Sequence, residues 1–367
     1  MTTALGYGIP NVLLLTSHSI AEHDDLDMFT RMGVPTFSIG AYTNPQRPGD
    51  DKRPALSNAP YFAEFEALCH EQRTKHGDEP TDFVIDWAKG DLHPDIVEWA
   101  DVIIVHHFPE AWIGGNWPNI ADKRVVWRTC GQSDPRLERS MYRYRREGLE
   151  IVRYSPRERT VFSRTDAFAG EDAMIRFGKD PTEWAGWRGD VEVVGNITQH
   201  MAQRGDACGF WYWAEATKNL PVRPAGPGSD AIGGIGILGF EAMREYLRSI
   251  RTYLYTGTRP ASYTLGLIEA MMTGVPVVSI GRGAFGCDGL LEPFGINHDD
   301  PAVARADLDF LLRDEQAALD MSVATRERAI ELFALDRVMR DWREFLGIPE
   351  PFEGWMDTTP YFEEGAA

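Results

Sequence analysis

Two kinds of hydrophobic pattern alternate along the chain. Short unbroken apolar runs rich in β-branched residues stand at 11–16, 36–38, 101–106, 124–128, 150–154 and 173–176. Runs of this length with no polar alternation predict strands covered on both faces, as in parallel sheets. Between them apolar positions return every three or four residues, which predicts helices, for example over 59–76 and 137–147. A stretch rich in Trp, Gly and Pro at 180–190 breaks both patterns and predicts a hinge. A second alternation follows: strands at 191–194, 222–224, 252–255 and 276–280, and helices near 209–218, 240–248 and 265–273. A long amphipathic helix over 316–346, interrupted near 333–336, closes the pattern. Strands alternating with crossover helices in two series predict an α/β protein of two Rossmann-like, doubly wound domains facing a central cleft. The first domain is expected over 1–180, the second over 181–345, and a tail over 346–367.

Composition narrows the classes. No stretch reaches the roughly 18 apolar residues of a membrane span, and the first ten residues lack a basic leader segment, so a cytoplasmic protein without a membrane span is expected. Cys69, Cys130, Cys208 and Cys287 are far apart and the histidines are scattered, so neither a disulfide framework nor a metal site is expected. The net charge of −19 speaks against polyanionic partners, but it is unevenly spread. Residues 123–164 hold 12 Lys/Arg against 5 Asp/Glu, an excess of +7, leaving about −26 on the remainder.

The richest chemistry lies in 255–279. A strand ends, a loop of small residues follows, and a helix starts near Thr264 with unpaired amides directed at the cleft, a ready site for a diphosphate. Glu269, about a turn and a half further on, accepts hydrogen bonds only when ionised and suits two neighbouring ribose hydroxyls.

This segment resembles the donor-site signature of retaining GT-B glycosyltransferases of the large family four, as does the closing helix with Phe333, Val338 and Trp342. Trp127-Arg-Thr-Cys-Gly-Gln-Ser133, Ile151-Val-Arg-Tyr-Ser-Pro156 and Ile175-Arg-Phe-Gly-Lys-Asp-Pro181 are similar to a phage-encoded branch of that superfamily. The resemblance implies a metal-independent transferase with a nucleotide-sugar co-substrate, a UDP-sugar, and no other cofactor. It makes Glu269 the second member of the family's glutamate pair. The first falls at Ala261, with Ser262, Tyr263, Thr264 and Leu265 left to grip the donor, and Arg204 in Gln203-Arg-Gly205 as a diphosphate cation.

On the acceptor side, His106-His107 ends a buried strand, and Asp24 and Asp25 follow the first one; His106, His107 and Asp24 are the catalytic candidates, set against a purely structural role. Gly234-Ile-Gly-Ile-Leu-Gly239 fits a dinucleotide fingerprint but has no strand before it, so Gly236 is assigned to a loop beside the donor. Arg136, Arg139, Arg143 and Arg146 fall on one helix face, with Tyr142 and Tyr144 interleaved and Arg153, Arg157, Arg159 and Arg164 following. Such a row can track phosphates or can be an ordinary solvated face. Within the transferase reading it favours modified DNA, a 5-hydroxymethylpyrimidine, over an envelope glycan or a small molecule; a non-catalytic nucleotide-binding protein is the alternative that Ala261 raises.

Overall fold

The computed structural model describes residues 8–16, 18–39, 53, 64–65, 67–69, 92–131, 133–159, 167–281, 287–291, 294 and 296–349. Most of the expected helix at 59–76, Arg164 and the tail from 350 onward lie outside the described residues.

The first body runs β1 (Val12–Leu15), α1 (Ser19–Arg31), β2 (Thr36–Ile39), α2 (Pro94–Trp99), β3 (Val102–Val105), α3 (Pro109–Ile120), β4 (Arg124–Arg128), α4 (Pro135–Arg146), β5 (Glu150–Arg153) and β6 (Ala173–Met174). Its strands form one parallel sheet in the order β2-β1-β3-β4-β5-β6. The unbroken apolar runs are explained by covering on both faces. Leu13, Leu15, Ile103 and Val105 enter one core layer, whereas Val12, Leu14, Val102 and Ile104 enter the other. The chain leaves β1 for β2 on one side and returns for β3 on the other, so the crevice beyond β1 and β3 is a topological switch point, where open α/β sheets bind ligands.

The second body runs β7 (Val191–Gly195), α5 (Met201–Arg204), α6 (Phe210–Ala216), α7 (Phe240–Ser249), β8 (Ile250–Tyr255), α8 (Leu265–Thr273), β9 (Val277–Ile280), α9 (Asp288–Leu291), β10 (Asn297–His298), α10 (Pro301–Arg313) and α11 (Glu315–Phe333). Its sheet, β10-β9-β8-β7, is also parallel. The strand expected at 222–224 is reduced to a single bridge, Val222 to Val194, because it follows a turn and meets only one edge. It still flanks β7 opposite β8, which makes a second switch point.

The last helix, α12 (Leu335–Leu346), does not stay with the second body. Leu335, Val338, Trp342 and Leu346 pack under the first sheet against Phe29 and Val126. The division at 345 expected from sequence is corrected accordingly: the chain crosses back at Ala334. The two crossings lie side by side, with the Lys179 amide donating to the Phe333 carbonyl at 2.9 Å and Leu335 to Lys179 at 3.0 Å. No helix among the described residues is long and apolar enough to cross a membrane.

Candidate active site

The two switch points face each other across a cavity of about 410 Å³. The first body contributes His18, Arg53, His107 and Cys130; the second contributes Thr198, Arg204, Ala261, Tyr263, Thr264, Leu265, Gly266 and Glu269.

Thr264 caps α8: its backbone is extended and its hydroxyl accepts from the Leu267 amide at 3.4 Å. The amides of Leu265 and Gly266 precede the first intrahelical bond and form no hydrogen bond among the described residues, which leaves two donors at the positive end of a helix dipole facing the cavity. Glu269 lies one turn further along the same helix. Its Oε1 accepts from Lys179 Nζ at 2.8 Å and from Arg53 Nη2. Asp24 completes a ring, its Oδ1 accepting from Arg53 Nε at 3.0 Å and its Oδ2 from Lys179 Nζ at 2.6 Å. Two anions and two cations alternate and cancel, which is the condition for burying charge at tolerable cost. The Trp184 ring lies 5.5 Å from both cations. Burial drives the Asp24 carboxyl up, but Arg53 and Lys179 outweigh it and hold it well below the usual range. Glu269 Oε2 takes no partner in the ring, and the residue lines the cavity.

Across the cleft, His18 and His107 stack, with ring centroids 5.4 Å apart. His18 caps α1 by accepting the Ala21 amide on Nδ1 at 3.3 Å, which fixes the neutral ring with its proton on Nε2. Burial lowers the basicity of both rings, that of His107 well below the ordinary value, with neighbouring histidines adding to the effect. Both are neutral donors and acceptors at physiological pH. His106 is buried beside them, its Nε2 3.0 Å from Asp25 Oδ2, which also faces Arg128 Nε at 3.6 Å.

One contact between the domains is especially close. Gly131, at φ +86°, packs so tightly on the second body that a Cβ would come within 2.6 Å of Ala261 Cβ. Ala261 therefore sits against a loop of the first body on one side and lines the cavity on another.

The structure brings Glu269, Thr264, Leu265, Tyr263, Arg204 and His107 to one cavity. Several other expectations are corrected. Asp24 has both oxygens engaged in the ring and is no free acid or base. His106 does not line the donor cavity but lines a neighbouring cavity of the first body. Ser262 does not line it either: its amide donates to the Tyr154 hydroxyl at 2.6 Å, and Tyr263 Oη donates to the Tyr154 carbonyl at 2.5 Å, so this pair serves the domain junction. Gly236 lies behind the cavity, donating to Ser229 Oγ at 2.9 Å, while its neighbours Ile237 and Leu238 line the wall.

Arg136, Arg139, Arg143 and Arg146 are exposed along one face of α4. The rest of the basic segment is not available in the same way. Arg153 is buried in a double hydrogen bond to Glu138, Arg145 pairs with Asp172, and Arg159 with Glu171. Tyr142 and Tyr144 are not exposed stacking platforms, since both pack on the first core and Tyr144 lies 5.1 Å from Trp117. Sequence reasoning passed over Arg53 and Lys179 as site residues: Arg53 is one of two adjacent cations, Lys52-Arg53, outside any predicted element, and Lys179, although inside the Ile175–Pro181 segment, has no periodic signal that assigns it a role. Among the described residues no group of three His, Cys, Asp or Glu side chains is placed to hold a metal ion.

No family model matches the chain, and no curated protein sequence does. Solved structures do. Anabaena HepE, solved with UDP-glucose, superposes with a TM-score of 0.63 at 13% identity over 92% of this chain and 99% of its own. An alpha-glucosyltransferase solved with UDP and a 13-mer DNA containing an HMU base gives 0.57 at 12% identity, covering 93% and 100%. A glycosyltransferase from Rickettsia africae gives 0.58 at 11%, covering 93% and 98%. The fold is GT-B. In GT-B terms the cavity lies in the cleft between the two Rossmann-like domains, Glu269 and the start of α8 form its second-domain wall, and α12 is the helix that returns to the first domain.

Proposed function

We propose that the protein is a glycosyltransferase that takes a sugar from a nucleotide diphosphate, a UDP-sugar, and passes it to a hydroxyl acceptor. The observation that carries this reading is the convergence on one cavity of Arg204, two amides of α8 and the Oε2 of Glu269, the last three without a hydrogen bond among the described residues. The amides and the Arg204 guanidinium face the diphosphate, and Glu269 accepts from the ribose hydroxyls. With these groups carrying the diphosphate charge, the reaction calls for no bound metal and no further cofactor. Transfer proceeds with retention: the acceptor oxygen bonds to the anomeric carbon as its bond to the phosphate oxygen breaks, and the acceptor proton passes to the departing diphosphate. Neutral His107 and His18 suit hydrogen bonding to sugar or acceptor hydroxyls rather than proton storage.

The favoured acceptor is a 5-hydroxymethylpyrimidine in DNA. The exposed row Arg136, Arg139, Arg143 and Arg146 belongs to the acceptor-side domain, and one structure of like fold holds DNA with a modified base. Labelled UDP-sugars offered with hydroxymethylated DNA test this directly. Incorporation into DNA, lost in Glu269→Ala, is expected. DNA affinity at low salt should fall in the double variant Arg139→Glu/Arg143→Glu; unchanged affinity removes DNA as the acceptor. Absence of both transfer and donor hydrolysis would favour a non-catalytic nucleotide-binding protein, the reading that Ala261 supports.

A further inference from the structure

A side chain of the first domain is seated in the second at the edge of the donor cavity. Arg53, which lies between β2 and α2 in the chain, is 7% exposed and lines the cavity together with Glu269. Its Cζ lies 5.5 Å from the centre of the Trp184 ring and 5.4 Å from that of Phe240. Both rings belong to the core of the second domain, where they meet edge to face with centroids 5.8 Å apart. The guanidinium therefore has aromatic neighbours, the Glu269 carboxylate and the Asp24 carboxylate around it, and three of these four groups are not from its own domain.

Arg53 and Lys179 serve Glu269 differently. Both donate to Oε1, and neither to Oε2. Arg53 donates from Nη2 to Glu269 and from Nε to Asp24 Oδ1 at 3.0 Å. These nitrogens belong to one rigid plane, so a single group sets the directions in which both carboxylates lie. With Oε1 drawn to that plane, Oε2 is the oxygen left to the cavity. Lys179 Nζ bonds the same two carboxylates, at 2.8 and 2.6 Å, but an ammonium is a point charge on a flexible stem, and this one lies outside the cavity lining. Two lysines would balance the charge of the ring equally well. A planar cation at the cavity wall adds direction.

We propose that Arg53 is a positioning residue for the donor: it holds the Glu269 carboxylate in the orientation that presents Oε2 to the ribose. A first-domain side chain thereby sets the nucleotide affinity of a second-domain ligand. The inference rests on the reading of Glu269 as the ribose ligand and deepens it. A carboxylate that is oriented in advance loses less freedom when the nucleotide arrives, so the contribution of Arg53 is read in UDP affinity. Loss of Lys179 leaves the planar bridge from Asp24 to Glu269 in place, so its effect on that affinity is the smaller one.

The test is calorimetric titration of the full-length protein with UDP, alongside the melting temperature of each variant. Arg53→Ala should raise the Kd about tenfold, the scale of one hydrogen bond to a charged group. In a Glu269→Gln background the same change should alter the Kd by less than about twofold, because Arg53 acts through the Glu269 carboxylate. Arg53→Ala leaves one excess negative charge in the ring; Arg53→Lys makes the same comparison without it. Arg53→Lys should recover most of the melting temperature, yet its Kd should stay about threefold or more above wild type, since an ammonium does not hold two carboxylates in one plane. Unchanged affinity in Arg53→Ala, losses that add in the double variant, or a Kd that follows melting temperature through both Arg53 variants overturns the positioning role and leaves Glu269 standing as a donor ligand. A Glu269→Gln protein that binds UDP as wild type does overturns both.

Discussion

Replacing Glu269 by Gln keeps the side chain's size and one acceptor oxygen, removes the charge and turns the other oxygen into an N–H donor. In the free protein the ring of Asp24, Arg53, Lys179 and Glu269 then passes from neutral to one excess positive charge, at a residue that is 5% exposed. Breaking a buried pair costs about 3–5 kcal/mol when nothing replaces the lost partner. The retained oxygen and the open side of the cleft should reduce the loss to about 2 kcal/mol. In the donor complex the same change removes a charge-assisted hydrogen bond to ribose, about 1.5–3 kcal/mol, so the Kd for UDP should rise roughly 10- to 150-fold. Lys179→Met is the control. It disturbs the same ring from a position outside the cavity lining, so it should cost comparable stability but change UDP affinity less than about threefold. Calorimetric titration with UDP at neutral pH, alongside urea denaturation of each variant, separates the two effects. Equal losses of affinity in both variants, or no loss in either, would refute the assignment of Glu269 as a donor ligand.

Three further outcomes follow from the packing. Burial pushes the Glu158 carboxyl up from the ordinary 4.5 to about 7, against Arg153 and the Thr129 hydroxyl. A raised carboxyl supports the fold below about pH 4.5, and that support is lost as pH rises through about 7; Glu158→Gln should therefore add about 3 kcal/mol in mildly alkaline buffer and almost nothing in acid, read by denaturation at both pH values. Gly131→Ala combines a left-handed φ of +86° with a Cβ 2.6 Å from Ala261 Cβ, and should cost about 2–4 kcal/mol in thermal melts and weaken UDP binding by disturbing the domain junction. Trp342→Ala opens a cavity beneath the first sheet where the ring is fully buried against Phe29 and Arg128. A loss of about 3–5 kcal/mol is expected, with hydrogen exchange accelerating first in β1, β3 and β4.

Much of the fold is legible in the sequence because its strands are buried on both faces. An unbroken run such as Val102–Val105 has one reading, and the helix at Leu265–Thr273 is bounded by a capping Thr264 and by Gly274 at φ +94°. The break in the closing helix at Ala334 is legible too, but not its consequence: α12 has a much sharper apolar stripe than α11, yet nothing local says which sheet that stripe will cover. At the site, helix-borne features such as Thr264 and Glu269 have a periodic frame that places them. Arg53 and Lys179 lie in connecting segments, where position depends on tertiary contacts alone. The basic segment was legible as charge but not as structure, since counting arginines cannot distinguish Arg153, buried on Glu138, from Arg143 on the surface.

The most direct measurement is the structure of the protein with a UDP-sugar bound. The ribose hydroxyls should lie within about 3 Å of Glu269 Oε2, with the diphosphate against the amides of Leu265 and Gly266 and the Arg204 guanidinium. A nucleotide held elsewhere, or a Glu269 carboxylate turned wholly toward Arg53 and Lys179 with the cleft closed over it, would contradict the account.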